Sequence, residues 1–467
     1  MGSGASKRIL SNWPVSVYAL IPILLIPALI YLWAEYQIIT MRHGLFITNG
    51  NVIGHDFLNI WVAAKLALGG QTNVLFDLIE FHRVEEIMLN KLLMFHVWSY
   101  PPHFIPLLLT LGLMPYPWAL GLWTIATLII YLVAVAYKRP QPWILSLALA
   151  LAPSSFENIN GGQTGFLTAA FLVGGLRLLE ARPIAAGILF GLLTIKPQLG
   201  LLVPVALIAG RHWKCFLSAA ATTIFLIALS ILLWGLEPWR LYLDSSLVYE
   251  KMALENLPIH VFSAMSLSPF MSARLLGLPL DAAYAIALCC AAAAVYVVGR
   301  TFAKPFSSDL RSAVLLTATF LATPYVLDYD TPALSAAVIA VLAVAGKGSL
   351  PKPTLVLLMA MATPMLIGWF HFNSVFAEFT PTSDLFQISI PALVMVTASL
   401  LAIVSYGPLL SRLKLMLLIV WVLPLFIFWL NLHGLPIVPL LLGGFLWLQI
   451  EYFGNINRVW LKRFVNA

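Results

Sequence analysis

Charge is what this sequence has least of. Only 10% of its residues are Asp, Glu, Lys or Arg, while 61% are hydrophobic. That balance excludes an ordinary soluble domain and a disordered chain. Cysteine is nearly absent, with three in all. Cys289 and Cys290 are neighbours in an apolar run and Cys215 opens another, so no disulfide framework or thiolate metal site is expected. No strong internal repeat is visible, and no soluble domain is expected at either end. Met1-Gly2-Ser3-Gly4-Ala5-Ser6 fits a myristoylation pattern. A small flexible terminus is the simpler reading for a chain that needs no lipid anchor. The formal charge of +7 would suggest nucleic acid in a soluble protein. Here Lys and Arg sit in short loops between apolar runs, the positive-inside pattern of membrane proteins, and no nucleic-acid partner is expected.

What is present is apolar run after apolar run from Pro14 to Phe453. A spanning helix needs about 20 such residues. We therefore expect an all-α polytopic membrane protein with about 12 transmembrane helices, both termini in the cytoplasm and the membrane's lipids as its solvent. The first span should cover about Pro14 to Leu32. Two long loops, 36–100 and 235–279, should then lie outside. The run from Tyr100 to Tyr137 is broken at Met114-Pro115-Tyr116-Pro117. The run from Ile184 to Gly210 is interrupted at Lys196-Pro197-Gln198 and has basic residues on both flanks, which predicts a helical hairpin with Lys196 near its outer tip. Later spans are expected near 312–324 and 332–346, with more beyond 350. Residues 1–350 form one expected module, including both long loops, and 351–467 a set of C-terminal spans.

The first long loop gathers the polar residues. Two amphipathic helices can be read in it. The first, from about Phe57 to Leu68, repeats Phe57, Ile60, Trp61, Ala64 and Leu68 at helical spacing and stops at Gly69-Gly70. The second opens at Asp77, which has Glu80 at capping-box spacing. Its stripe of Val84, Ile87, Met88 and Leu92 lies opposite Glu85, Glu86 and Lys91. Neither can span a bilayer, and both could lie along its surface.

Several residues carry possible chemistry, each with a plainer explanation. Asp56 stands where a helix begins, so it could be an N-cap, a catalytic carboxylate, or both. Lys196 is an intramembrane cation, a frequent mark of function; the plainer reading is a lysine snorkelling to the interface. His103 could be a site residue or a hydrogen-bonded core histidine. Asp328-Tyr329-Asp330 could offer oxygen ligands to a hard cation or could be a solvated turn. Glu157, Asn158, Asn160 and Gln163 could bind sugar hydroxyls or form a wet loop.

The order of the motifs adds a further reading. Asp56-Phe57 opens the first outer loop, and a helix then ends Leu68-Gly69-Gly70-Gln71. Tyr100-Pro101-Pro102, Gly162-Gln163, Ala186-Gly187-Ile188-Leu189-Phe190-Gly191 and Lys196-Pro197 follow. Ser266-Leu267, Arg274-Leu275-Leu276-Gly277 and a Pro324 turn before acidic residues complete the order. This series, over about the first 340 residues, resembles the GT-C glycosyltransferases of family 87, the polyprenol-phosphate-mannose-dependent type. Many relatives have a histidine after the proline turn; this chain has Asp328 and Asp330.

The resemblance implies a GT-C fold with two juxtamembrane helices in the first outer loop. It implies an enzyme of a bacterial inner membrane whose site faces the outside. A hexose, mannose-like, would pass with inversion from a polyprenyl-phosphate donor to a hydroxyl of a lipid or glycan acceptor. Asp56 would be the general base. Lys196, helped by His55, His103 or Arg274, would stabilise the leaving phosphate. Tyr100, Gln163, Ser266, Asp328 and Asp330 would complete the substrate site. No cofactor is expected, although Asp328 and Asp330 keep a divalent ion possible. Two other classes compete. A lipid or polysaccharide transporter or flippase would put its charges at the midplane between symmetric repeats. An O-antigen-ligase-like enzyme would lead its outer loop with basic residues.

Overall fold

In the computed structural model the described residues are 52–345, apart from 94, 140–141, 257–267 and 276–277. The expected first span, Ser266 and everything after 345 lie outside them. Helices and turns make up almost all of the described chain, and no strand longer than an isolated bridge occurs among the described residues.

Three described helices are long and apolar enough to cross a membrane: α3 (Tyr116–Ala136), α9 (Trp213–Trp234) and α12 (Leu280–Phe302). Their outward faces carry large apolar side chains, among them Trp118, Ile125, Ile129, Ile224, Leu232, Leu288 and Tyr296. Water would not tolerate such belts; hydrocarbon would. Shorter helices fill the space between them: α4 (Pro142–Ala150), α5 (Pro153–Gly161), α6 (Gly165–Leu178), α7 (Pro183–Leu192), α8 (Val203–Ala209), α13 (Ser308–Ala322) and α14 (Pro332–Ala345). Every residue of α6 from Gly165 to Leu176 is buried. It packs on α3, α7, α13 and α14 and is the central helix of the described bundle.

The interruption at Lys196 is a true break. A 3₁₀ turn, Leu193–Ile195, precedes it and another, Pro197–Gly200, follows. The chain then returns. Ser218 donates to the Ile184 carbonyl at 2.8 Å. Gly187 lies against Cys215 and Ser218, and Gly191 against Ala219 and Thr222. Contacts that advance together along both helices mean that α7 and α9 run parallel, so α8 between them runs back. The segment is the hairpin its basic flanks predict. Its ascending arm has 10 α-helical residues, about 15 Å at 1.5 Å per residue. It ends inside the protein, short of the roughly 30 Å hydrocarbon core.

The first loop helices are α1 (His55–Leu68) and α2 (Leu78–Leu89). Here the structure corrects the sequence. α1 is no surface helix: Phe57, Leu58, Ile60, Trp61, Val62, Ala63, Ala64, Leu66 and Ala67 are all buried. A helix apolar around most of its circumference belongs in a core. α2 begins as expected, with the Asp77 carboxylate accepting from the Ile79 and Glu80 amides. Glu80 does not close a capping box; it accepts from Arg83 instead. The stripe of α2 faces outward at Ile87 and Met88, as a helix resting on a bilayer would have it, while Glu85 of its polar side turns in. Phe81 and Glu85 are buried, whereas Ile79, Ile87 and Met88 are exposed. Glu85 turns inward because two imidazoles meet it there, His82 at 3.5 Å and His96 at 3.7 Å. Burial pushes its carboxyl up against the pull of His96 and His82.

Candidate active site

The described chain has two chemically different ends. At one, Arg139 pairs with Asp309, Arg311 pairs with Glu180, and Arg177 donates to the Tyr137 carbonyl. These are the basic loops that the alternation rule assigns to one side. At the other end the candidate residues converge.

Asp56 lies in the first turn of α1, but it is not the cap. That position is Gly54, whose φ of 68° is the left-handed conformation a glycine adopts without strain. No side chain caps the helix. The Gly54 amide donates instead to the Asn160 carbonyl at 3.1 Å, docking α1 onto the turn between α5 and α6. That turn is tight. A Cβ on Gly162 would meet Phe57 Cβ at 2.5 Å, and one on Gly161 would come within 3.0 Å of Asp56 Oδ2. Trp123 donates to the Gly162 carbonyl, and the Tyr116 hydroxyl donates to the Ile53 and Gly54 carbonyls. Spans and loops thus fix the same few atoms.

The Asp56 carboxylate itself is left for side chains. Gln163 Nε2 donates to Oδ2 at 2.5 Å, and His55 Nε2 lies 3.0 Å from the same oxygen. The Asp56 side chain is 32% exposed. Burial pushes the carboxyl up, but the charge and hydrogen bond of His55, the charge of His96 and the bond from Gln163 outweigh it and hold it below the usual range. A helix N-terminus also favours an anion. Asp56 is therefore a carboxylate at neutral pH, able to accept a proton.

Beside it, the Tyr100 hydroxyl and Thr164 Oγ1 are hydrogen-bonded at 3.1 Å. Burial pushes the phenols of Tyr100, Tyr325 and Tyr329 up, and the nearby charges of Asp56 and Asp330 add to it.

Lys196 is not snorkelling. Its Nζ is 2.5 Å from Asp330 Oδ1, with the two side chains 5% and 0% exposed, and it lies 4.3 Å from the centre of the Tyr329 ring. Asp330 Oδ2 accepts from the Leu327 amide, so both oxygens of Asp330 are engaged. The turn Asp328–Asp330 is a 3₁₀ turn and not a solvated loop: Asp330 is buried, and Asn158 donates to the Tyr329 carbonyl. Gly165 makes this approach possible, since a Cβ there would sit 1.8 Å from that carbonyl oxygen. Asn158 is thereby a structural residue and not an open sugar ligand.

His103 is buried and stacked on Trp239, with ring planes 6° apart. Its Nε2 is 3.1 Å from Thr194 Oγ1. Thr194 donates its own proton to the Gly191 carbonyl, so Nε2 carries the hydrogen. Nδ1 is buried without a hydrogen bond. A proton there would be an unsatisfied buried donor on a cation, so the neutral imidazole is favoured. As a neutral group it cannot serve as a phosphate cation, contrary to the helper role expected for it. Arg274 ends a short helix, α11 (Pro269–Leu275), and donates to the Leu278 carbonyl at 3.0 Å. It sits by a separate small cluster of Phe270, Ala273 and Ala283, and no described contact joins it to Asp56. The side chain of Asp328 is outside the described atoms.

An open groove of about 580 Å³ lies elsewhere, lined by Val74, Phe76, Asp77, Leu78, Ile79 and Leu241 among others. It is mostly apolar and contains none of the candidate residues.

Residues 98–324 match the model of glycosyltransferase family 87. The match covers just under half of the chain. No curated protein and no solved structure matches the chain. The match and the apolar spans together indicate a membrane glycosyltransferase. The matched region supplies Tyr100, His103, Gln163, Thr164 and Lys196. Asp56 and Asp330 lie on either side of it in sequence and are bonded to it through Gln163 and Lys196.

Sequence reasoning passed over one acidic residue of this end, Glu250. It was legible only as one of seven charged residues in the second long loop.

Proposed function

We propose that the chain transfers a hexose, mannose-like, from a polyprenyl-phosphate donor to a hydroxyl of a lipid or glycan acceptor, on the outer face of a bacterial inner membrane. The observation that carries this reading is the state of Asp56. It is an ionised, partly exposed carboxylate fixed by Gln163 and His55, and it caps nothing.

In the proposed step the acceptor oxygen attacks the anomeric carbon. Its proton passes to an Asp56 oxygen. The bond from the anomeric carbon to the phosphate oxygen breaks, and its electron pair leaves with the polyprenyl phosphate. One C–O bond forms, one breaks, and the configuration inverts. Gln163 keeps the carboxylate aimed, and His55 holds it ionised until the acceptor arrives. The leaving phosphate needs positive charge. Lys196 is the buried cation at this end, and Asp330 balances it in the resting protein. A phosphate reaches Lys196 by competing with that carboxylate.

Asp56→Asn tests the assignment. Asn keeps the size of the side chain and can still hydrogen-bond to Gln163 and His55. The variant should melt like the wild type, bind the lipid-linked donor, and transfer sugar about 10²–10⁴-fold more slowly, the usual worth of a positioned base. Purified protein in lipid gives both readouts. A folded Asp56→Asn variant with the wild-type rate removes Asp56 from the mechanism.

A further inference from the structure

The second long loop reaches the site through a particular piece of backbone. After the short helix Glu237–Leu241 comes a π-helical turn, Tyr242–Ser246, and then α10 (Leu247–Asn256). Such turns are rare and concentrate at functional sites. Two serines fasten this one to the first loop. Ser245 Oγ donates to the Phe76 carbonyl at 2.5 Å, and buried Ser246 Oγ to the Trp98 carbonyl at 3.1 Å. Glu250 is four residues beyond Ser246, one helical turn on and on the same face. The anchor at Trp98 therefore brings Glu250 to the next two residues, Ser99 and Tyr100. Ser99 hydrogen-bonds to the Glu250 carboxyl.

The neighbours of Glu250 belong to the site. The charge of Lys196 acts on it. The phenols of Tyr100 and Tyr325 feel the charges of both Glu250 and Asp56. Ser99 is bonded to Glu250, the next residue Tyr100 to Thr164, and Thr164 follows Gln163, which holds Asp56, so both carboxylates belong to one site. Glu250 is only half-buried, so a bound molecule can reach it. Burial pushes its carboxyl up, to about 7, against Lys196 and Ser99.

Two carboxylates with tyrosine hydroxyls near them suit a polyol, because carboxylates accept from sugar hydroxyls in charge-assisted hydrogen bonds. We propose that Glu250 binds a hydroxyl of the transferred hexose, on the wall formed by Ser99 and Tyr100. This inference rests on the base assignment of Asp56. Inversion keeps the acceptor and the base on one face of the anomeric carbon and the leaving phosphate on the other, which leaves the ring hydroxyls to the side walls of the site. Glu250 is a binding residue in this scheme and takes no proton from the acceptor.

The test uses the full-length protein in lipid nanodiscs with a polyprenyl-phosphate-mannose donor. Initial rates are measured while donor and acceptor are varied separately. Glu250→Gln should raise the donor KM about 10- to 100-fold, the worth of one hydrogen bond to a charged group, with a smaller change in kcat and an unchanged melting temperature. In the wild type the donor KM should fall as pH rises through about 7, where Glu250 ionises. Glu250→Gln should lose that dependence. Glu250→Asp keeps the charge on a shorter arm and should give an intermediate KM; it also serves as the test should Glu250→Gln fold poorly. Wild-type donor KM and pH profile in the folded variants overturn the proposal. A rise confined to the acceptor KM overturns it too. A wild-type protein inactive with this donor fails the underlying donor reading instead, and Asp56→Asn tests the base separately because it lowers kcat without raising the donor KM.

Discussion

Lys196 and Asp330 form an ion pair almost closed to solvent, so a change at either one tests folding before it tests chemistry. Removing one partner of a buried pair costs about 3–5 kcal/mol, because the other charge is stranded, whereas replacing both by apolar groups is often neutral. Lys196→Met should therefore lower the melting temperature strongly. Lys196→Met combined with Asp330→Leu should recover most of it. Activity of the rescued double variant then decides the role of the lysine. A folded but inactive double variant makes Lys196 the phosphate cation, and a folded active one makes the pair structural. Thermal melts and transfer rates on the same preparations give the answer. The sequence showed that Lys196 was unusual, because a cation in an apolar run is costly. It could not show the partner, 134 residues away. Asp56 was legible for a similar reason, as a lone carboxylate at a helix start. Its release from capping was not, because a glycine in the left-handed conformation does that work without leaving a polar signature. Glu250 was invisible as a site residue, since only the serine anchors of its helix distinguish it from the other acids of the loop.

At the scale of elements, breaks were easier to read than faces. Met114-Pro115-Tyr116-Pro117 and Lys196-Pro197-Gln198 both interrupt helices where proline demands it. The outward stripe of α2 was legible, but the burial of Glu85 was not, because its partners His82 and His96 carry no periodic signal. In this chain Ile79, Ile87 and Met88 face outward while Glu85 is enclosed with His82 and His96. An interface with lipid reverses the usual sign of the pattern. The hairpin depends on small residues, as membrane helix contacts commonly do. A Cβ on Gly191 would lie 2.5 Å from Thr222 Cβ and 2.8 Å from the Ala219 carbonyl oxygen, whereas one on Gly200 would have nothing nearer than 3.7 Å. Gly191→Leu should thus force α7 and α9 apart and destabilise the protein by about 1–3 kcal/mol, the usual cost of overpacking. Gly200→Ala should change stability little. Because Gly191 also receives the Thr194 hydrogen bond that fixes His103, the leucine variant should lose activity along with stability. Melting in detergent with transfer assays in parallel would detect both effects.

For the molecule as a whole, the two ends are held by different physics, and the positive-inside rule turns that into a prediction of its direction in the membrane. At one end Arg139, Arg177 and Arg311 are bound to backbone and carboxylates, with Arg182, Arg211 and Lys214 exposed nearby in sequence. At the other, Asp56, Tyr100, Lys196, Glu250 and Asp330 gather under two long loops. Retained basic residues mark the cytoplasmic side, so the end with Asp56 should face outward. A lipid-linked donor would then meet the site from the outer leaflet, where the exposed apolar face of α2 can rest. Single cysteines in a background lacking Cys215, Cys289 and Cys290 would show the direction. Arg83, at 67% exposed, reports one end and Lys214 the other. In intact cells with a permeabilised outer barrier, a membrane-impermeant maleimide should label Arg83→Cys and spare Lys214→Cys until the inner membrane is opened. The reverse pattern would place the site in the cytoplasm. A cytoplasmic site would also have nucleotide sugars within reach, and the polyprenyl-phosphate donor would lose its main physical reason, which is to carry an activated sugar to a compartment without nucleotides.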